Sequence, residues 1–189
     1  MTRGTDLPDV VQAAGRGEHW ALSELFRAYQ PALLRYLRAQ EPHVADDLAS
    51  EVWIGAARGL SRFVGDETAF RSWLFTIARH QLIGHRRRLV RQRTDLVATD
   101  DLDIVADLGA PDDPAAAILD RLGAQGAIDE LVAGLPPEQA EAVLLRVVAG
   151  LSVAETAAIM GRPAGTVRVL CHRALRRMAE QLGDKVSAP

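Results

Sequence analysis

Apolar residues along this chain recur at intervals of three and four, the period of a helix with one buried face. Between about His19 and Gln40, Leu22, Leu25, Phe26, Tyr29, Leu33, Tyr36 and Leu37 keep that spacing and predict one long amphipathic helix. Pro31 lies inside it and is expected to kink or split it, because proline has no amide hydrogen and its ring crowds the preceding turn. A short helix is predicted ahead of it, from Asp6 and Pro8 through Ala14, with Gly15 and Gly17 ending it. Glu41-Pro42 closes the long segment. The next helix is expected from about Val44 to Phe63, a turn at Val64-Gly-Asp-Glu67, and a fourth helix from about Thr68 into a run of arginines. Alternating apolar–polar runs are few and Asn-Gly or Asp-Gly turns are absent, so the pattern predicts an all-α protein.

Periodicity fails between residues 94 and 113, where Gly109-Ala-Pro-Asp-Asp-Pro114 marks a linker. Its apolar residues, including Leu96, Leu102, Ile104 and Leu108, exceed what an entropic spacer needs and point to a segment that lies on a partner surface. Helical punctuation then resumes. Asp113-Pro114 opens a helix interrupted by Gly123 and Gly126 and capped at Gly134, and Pro136-Pro137 opens a second from about Glu138 to Ala149, capped by Gly150. The expected organisation is two small helical domains, residues 1–93 and 114–185, joined by a flexible linker over 94–113. A chain of 189 residues can supply two small cores of this kind.

The last two helices carry the sharpest local signal. Ser152-Val-Ala-Glu155 has capping-box spacing, in which the serine hydroxyl accepts the N3 amide and the glutamate reaches back. Val153, Ala157 and Met160 form one apolar face, Gly161 supplies a left-handed turn, and Arg162-Pro163 redirects the chain. The following helix has an inner face of Val167, Leu170, Cys171, Ala174, Leu175 and Met178. Outside it, Arg168, His172 and Arg176 fall at i, i+4 and i+8, flanked by Arg173 and Arg177. A helix that buries one side and offers arginines on the other is a helix-turn-helix recognition element suited to the major groove and its phosphates.

Charge changes the picture by its distribution. The formal net charge is −3, which argues against a non-specific nucleic-acid binder. Yet Arg79 to Arg93 holds six arginines and no acid, whereas Thr94 to Asp120 holds eight aspartates and no basic residue, so a basic face abuts an acidic tether. The single cysteine, Cys171, rules out an intrachain disulfide and fits a reducing compartment. No apolar run nears the ~20 residues of a membrane span, and no signal-peptide pattern is present, so a cytoplasmic protein without membrane insertion is expected. His80 and His85 stand five apart with no third ligand in sight, so no metal or other cofactor is expected. Nor is there a nucleophilic constellation, a clustered-carboxylate site beyond Asp46, Asp47 and Glu51, or a glycine-rich phosphate loop that would mark an enzyme.

Three segments in order resemble the extracytoplasmic-function, group 4 sigma factors of bacterial RNA polymerase, in the sigma-70 family. Asp46-Asp-Leu-Ala-Ser-Glu-Val-Trp53 resembles the signature that grips the polymerase clamp helices, and implies core-polymerase contacts at Asp46, Asp47, Leu48, Glu51 and Trp53. Acids in a first turn also serve simply to favour the helix dipole, and the residues alone do not choose between these roles. Phe70-Arg-Ser-Trp-Leu-Phe-Thr-Ile-Ala-Arg79 resembles the segment that melts and reads the minus-ten element. It implies DNA contacts at Phe63, Asp66, Thr68, Phe70, Trp73, Arg79, His80, His85, Arg86, Arg87 and Arg88, with the Val64 to Thr68 loop holding a flipped base. Leu135-Pro-Pro-Glu-Gln, Gly150-Leu-Ser-Val-Ala-Glu-Thr-Ala and Gly165-Thr-Val-Arg resemble the domain that reads the minus-thirty-five element, through Thr166, Arg168, Val169, His172, Arg173, Arg176 and Arg177.

The resemblance therefore implies a sigma2-like bundle and a sigma4-like domain, with the beta and beta′ subunits of core polymerase, promoter DNA and an anti-sigma factor as partners and no small-molecule substrate. Two departures bear on specificity. Val169-Leu170 stands where relatives often carry a Ser-Arg pair, and His80 and Gly84 stand where Asn and Asp are frequent. A stand-alone helix-turn-helix regulator is the rival reading, its first domain then serving ligand binding or dimerisation. A recombinase or nuclease with a helix-turn-helix tail would need the catalytic cluster that is missing. By the resemblance the linker threads the polymerase cleft, where its aspartates could stand in for nucleic-acid phosphates. Replacing Asp100, Asp101 and Asp103 with asparagine should then alter the ratio of abortive to full-length transcripts, and an unchanged ratio would contradict that role.

Overall fold

The computed structural model describes residues 7–93 and 131–187, and the chain divides into two compact units, Met1–Val97 and Ala98–Pro189. The linker, its aspartates and the Asp113-Pro114 helix start lie outside the described residues. Every regular element among the described residues is helical.

The first unit contains α1 (Leu7–Gly15), α2 (His19–Arg38), α3 (Ala45–Gly59) with a 3-10 turn at Leu60–Arg62, and α4 (Glu67–Arg93). Its core is the periodic stripe read from the sequence. Leu25, Leu33, Tyr36 and Leu37 of α2 are buried, as are Leu48, Val52 and Ala56 of α3 and Phe70, Leu74, Phe75, Ala78 and Leu82 of α4. α1 closes one side with Val10, Val11, Ala13 and Ala14. Tyr36 and Phe75 meet edge to face, centroids 5.5 Å apart at 87°, the arrangement in which a ring's positive edge meets a negative face.

Pro31 does not split α2, which runs continuously from His19 to Arg38. The proline lies on the exposed side, so the carbonyl it leaves without an intrahelical donor is next to solvent, and the buried residues on either side hold the helix together. The fourth helix starts at Glu67, one residue ahead of expectation, because Asp66 caps it: its Oδ1 accepts the Ala69 amide at 2.8 Å.

In the second unit a helix ends at residue 133, with Leu131, Val132 and Leu135 buried. α5 (Pro137–Val143) begins with proline in its first turn and widens into a π turn at Leu144–Val148, so the segment expected as one α-helix changes its hydrogen-bond register midway. Gly134 ends its helix without a left-handed cap. Its φ is not positive, and a Cβ there would come within 2.5 Å of Gln181 Nε2, the far end of a flexible side chain on the C-terminal helix that can turn aside.

α6 (Val153–Met160) and α7 (Ala164–Ser187) form the helix-turn-helix. The capping box is complete, with Ser152 N donating to Glu155 Oε2 at 2.7 Å and Glu155 N donating to Ser152 Oγ at 3.2 Å. Gly161 takes the left-handed conformation, φ 65°, and the Arg162 amide returns to the Ala157 carbonyl at 3.0 Å. Ser152→Ala should destabilise this unit by about 1 kcal/mol, and Gly161→Ala by about 1–2 kcal/mol, the cost of a Cβ in the left-handed region. Urea unfolding followed by circular dichroism measures both. Midpoints equal to the parent's would mean that neither end of α6 fixes the turn.

Candidate nucleic-acid and polymerase interfaces

In the first unit the loop from Phe63 to Asp66 projects between the 3-10 turn and α4. Phe63 is held against Trp73, centroids 5.1 Å apart, and meets Phe70 edge on at 5.8 Å and 90°. Trp73 in turn lies over Gly59, where a Cβ would come within 2.7 Å of the indole. Gly65 is equally constrained, since a Cβ there would lie 2.6 Å from the Ala69 Cβ and 3.0 Å from the Phe63 ring. Between these anchors Val64 stands 93% exposed, an apolar tip on a fixed mount.

The sequence assigned Phe70 to DNA contact, and the structure corrects this. Phe70 is fully buried, packed between Tyr29, Phe63 and Trp73, so it supports the loop and cannot stack on a base. Phe63 and Trp73 are half-exposed and remain available, and Asp66 and Thr68 are exposed. Along α4, Trp73, Thr76, His80, Arg87 and Arg91 fall at i, i+3, i+7, i+14 and i+18, one face that runs from the aromatic mount into the arginines. Arg79 is half-buried at the flank of this face, whereas His85, also half-buried, falls on the opposite side of the helix. Arg86 Nε donates to Glu41 Oε1 at 2.8 Å and Arg88 reaches Glu51 at 4.0 Å, so these two are tied to the body of the unit.

On α3, Asp47, Glu51, Ile54 and Arg58 form an exposed stripe at i, i+4, i+7 and i+11. Asp46 is also exposed and accepts from Arg38 at 3.1 Å. Leu48 and Trp53 do not belong to this surface. Leu48 is 2% exposed, and Trp53 is 9% exposed with its Nε1 donating to Gln30 Oε1 at 2.7 Å. Helical spacing places both on the core side, three and four residues from other buried positions. Phe26 takes the outward place instead, exposed and packed on Trp53 at 5.1 Å, and Ile54 adds a second exposed apolar group. Nothing in a periodicity reading singles out Phe26, because it shares the apolar stripe of α2. Ile54 was legible as an isoleucine in register with Asp47 and Glu51.

In the second unit Val167, Cys171, Ala174, Leu175 and Met178 are buried, and Leu170 is half-buried. Arg168, His172, Arg173, Arg176 and Arg177 are exposed, while Thr166 and Val169 are half-buried near the start of α7. The cations divide into two groups. Arg176 Nε donates to Glu180 Oε1 at 3.0 Å, and Arg177 Nη1 donates to the buried Gln139 of α5 at 3.0 Å. Among the described residues Arg168, His172 and Arg173 have no such partner. The turn itself is braced by an ion pair between Arg162 and Glu138. No cluster of His, Cys, Asp or Glu suited to a metal ion occurs among the described residues, and no described helix is long and apolar enough to cross a membrane.

Comparison with known proteins agrees with this division. Residues 25–92 match the model for Sigma-70 region 2, and residues 125–178 match that for Sigma-70, region 4. The chain is 34% identical over 178 residues to the ECF RNA polymerase sigma factor BldN of Streptomyces coelicolor, covering 93% of this chain and 66% of that protein. It is 34% identical over 186 residues to the ECF RNA polymerase sigma factor SigD of Mycobacterium tuberculosis, covering 95% and 85%. Among solved structures, the sigma factor RpoE of Bartonella quintana, in complex with the anti-sigma factor NepR, superposes with a TM-score of 0.62 at 26% identity, over 88% of this chain and 98% of that one. With both regions matched in order, and a relative above 30% identity covered for most of its length, the chain belongs to the ECF RNA polymerase sigma factors, which direct polymerase to promoters.

Proposed function

We propose that the two units take hold of a promoter at two separate elements. In the second unit α7 lies in the major groove of the minus-thirty-five element. Arg168, His172 and Arg173 reach base edges and near phosphates, and Thr166 and Val169 shape the contact at the helix start, while Arg176 and Arg177 stay paired within the unit. The observation that carries this reading is the split among the cations of α7: two are committed to partners in the chain, and Arg168, His172 and Arg173 are left opposite an inner face of buried Val167, Cys171, Ala174, Leu175 and Met178.

In the first unit the Phe63 to Asp66 loop meets the minus-ten element as single strand. Phe63 and Trp73 offer ring surface to an unpaired base, and the stripe through His80, Arg87 and Arg91 follows the phosphates. Asp46, Asp47 and Glu51, with Ile54 and Phe26, make an acidic surface with apolar points that suits a basic partner helix of core polymerase. An anti-sigma factor that covers this surface would keep the protein silent, by analogy with the RpoE–NepR complex. Such a protein works in the cytoplasm beside its polymerase, catalyses no reaction itself, and takes no small-molecule substrate.

Run-off transcription with core polymerase over a pool of genomic promoters tests the reading. The protein should generate promoter-specific products that core alone does not make, while binding duplex promoter weakly by itself. Tight, dimeric operator binding by the free protein, with no such product, would favour the stand-alone regulator. Arg168→Ala should lower output from a recognised promoter about 10-fold or more, the worth of one base-specific contact, and leave core binding unchanged.

A further inference from the structure

We propose that Tyr29, on α2, is a positioning residue for minus-ten recognition, holding the loop through Glu67 and Arg71. This rests on the reading of the Phe63 to Asp66 loop as the minus-ten contact. Tyr29 is 6% exposed, and its hydroxyl donates to Glu67 Oε1 at 3.2 Å. Arg71 Nη2 donates to the same oxygen at 2.8 Å and also bonds the tyrosine oxygen, so three side chains from two helices close on one another. The Tyr29 ring packs on Phe70 at 5.4 Å, and Phe70 on Phe63 at 5.8 Å. α2 thus grips the loop at both ends: its ring reaches Phe63 through Phe70, and its hydroxyl reaches Glu67, the first residue of α4.

The hydroxyl route is separable from core packing. A phenyl ring would fill the same space against Phe70, so the oxygen is needed only for Glu67 and Arg71. Glu67 already sits at a helix N-terminus, where a carboxylate is favoured while facing water. Here it turns inward to α2, with its side chain 27% exposed. Burial pushes the Tyr29 hydroxyl above its ordinary pKa, which keeps it a donor across the physiological range.

Between the two fixed ends lie Val64, Gly65 and Asp66. Gly65 is hemmed in by Ala69 and Phe63, and Asp66 is committed to the Ala69 amide. A loop fixed this way meets its base without first being ordered, and loss of the mount should cost selectivity more than fold.

The test uses Tyr29→Phe and Glu67→Gln in the full-length protein, alone and as holoenzyme with core polymerase. Hydrogen exchange of the protected amides at the two ends of the loop, Phe63 on the Leu60 carbonyl and Ala69 and Phe70 on Asp66, should speed up about 10-fold in each variant, the worth of one residue's backbone freedom. Discrimination between a recognised minus-ten sequence and its single-base variants should fall by a similar factor. Core affinity and dependence on the minus-thirty-five element should stay as in the parent, and the double variant should be no worse than either single one. Unchanged exchange in the loop would overturn the proposal, as would exchange that rises equally throughout α2 and α4. Faster loop exchange with discrimination intact would instead overturn the minus-ten reading on which the proposal rests.

Discussion

The loop between α3 and α4 depends on one contact, the tilted packing of Phe63 on Trp73 beside the bare backbone of Gly59. It joins the end of α3 to the first turns of α4, and by doing so decides what the loop between them can present. With the ring anchored, the exposed surface of the loop is Val64, Gly65 and Asp66, and Trp73 beside it is half-exposed. The same aromatic cluster leads inward through Phe70 to Tyr29 and outward along α4 to His80, Arg87 and Arg91. A rigid ring surface next to a line of cations is what single-stranded nucleic acid needs, since bases stack and phosphates attract arginine.

Charge is arranged in both units so that some cations are held and others are spare. Arg86 on Glu41, Arg88 on Glu51 and Arg38 on Asp46 are ion pairs on a partly or fully exposed surface. Pairs of that kind contribute ~0–1 kcal/mol, so their value is in orientation and they can exchange for a phosphate or a polymerase side chain at small cost. In α7 the arginine held by buried Gln139 ties that helix to α5, which leaves Arg168, His172 and Arg173, nearer its start, as the cations proposed to read the groove. A near-neutral chain can thus concentrate arginines locally on two helices, where Glu67 and Glu180 are held by Arg71 and Arg176.

Much of this was legible in the sequence where the signal is local. The capping box at Ser152, the left-handed Gly161 and the inner face of α7 depend on residues within one or two turns of each other, and they appear as read. Readings that depended on tertiary contacts fared differently. Pro31 failed to break α2 because burial on the opposite side outweighs one lost hydrogen bond. Leu48, Trp53 and Phe70 sit inside motifs read as binding surfaces, yet their own side chains are buried beneath the exposed residues of those motifs. Gly134 looked like a left-handed cap, yet its φ is not positive, and the neighbour it meets, Gln181, lies far along the chain where periodicity cannot reveal it. The Tyr29–Glu67–Arg71 mount was hidden likewise, since it joins residues 38 apart.

In the proposed complex the two units contact two different promoter elements at once. Site-specific photocrosslinking from Val64 and from Arg168, in the open complex with core polymerase, measures this directly. Crosslinks from Val64 should map to the single-stranded minus-ten region and those from Arg168 to the duplex minus-thirty-five region, both depending on core. Crosslinks from the two positions to one shared site, or equal crosslinking without polymerase, would contradict it.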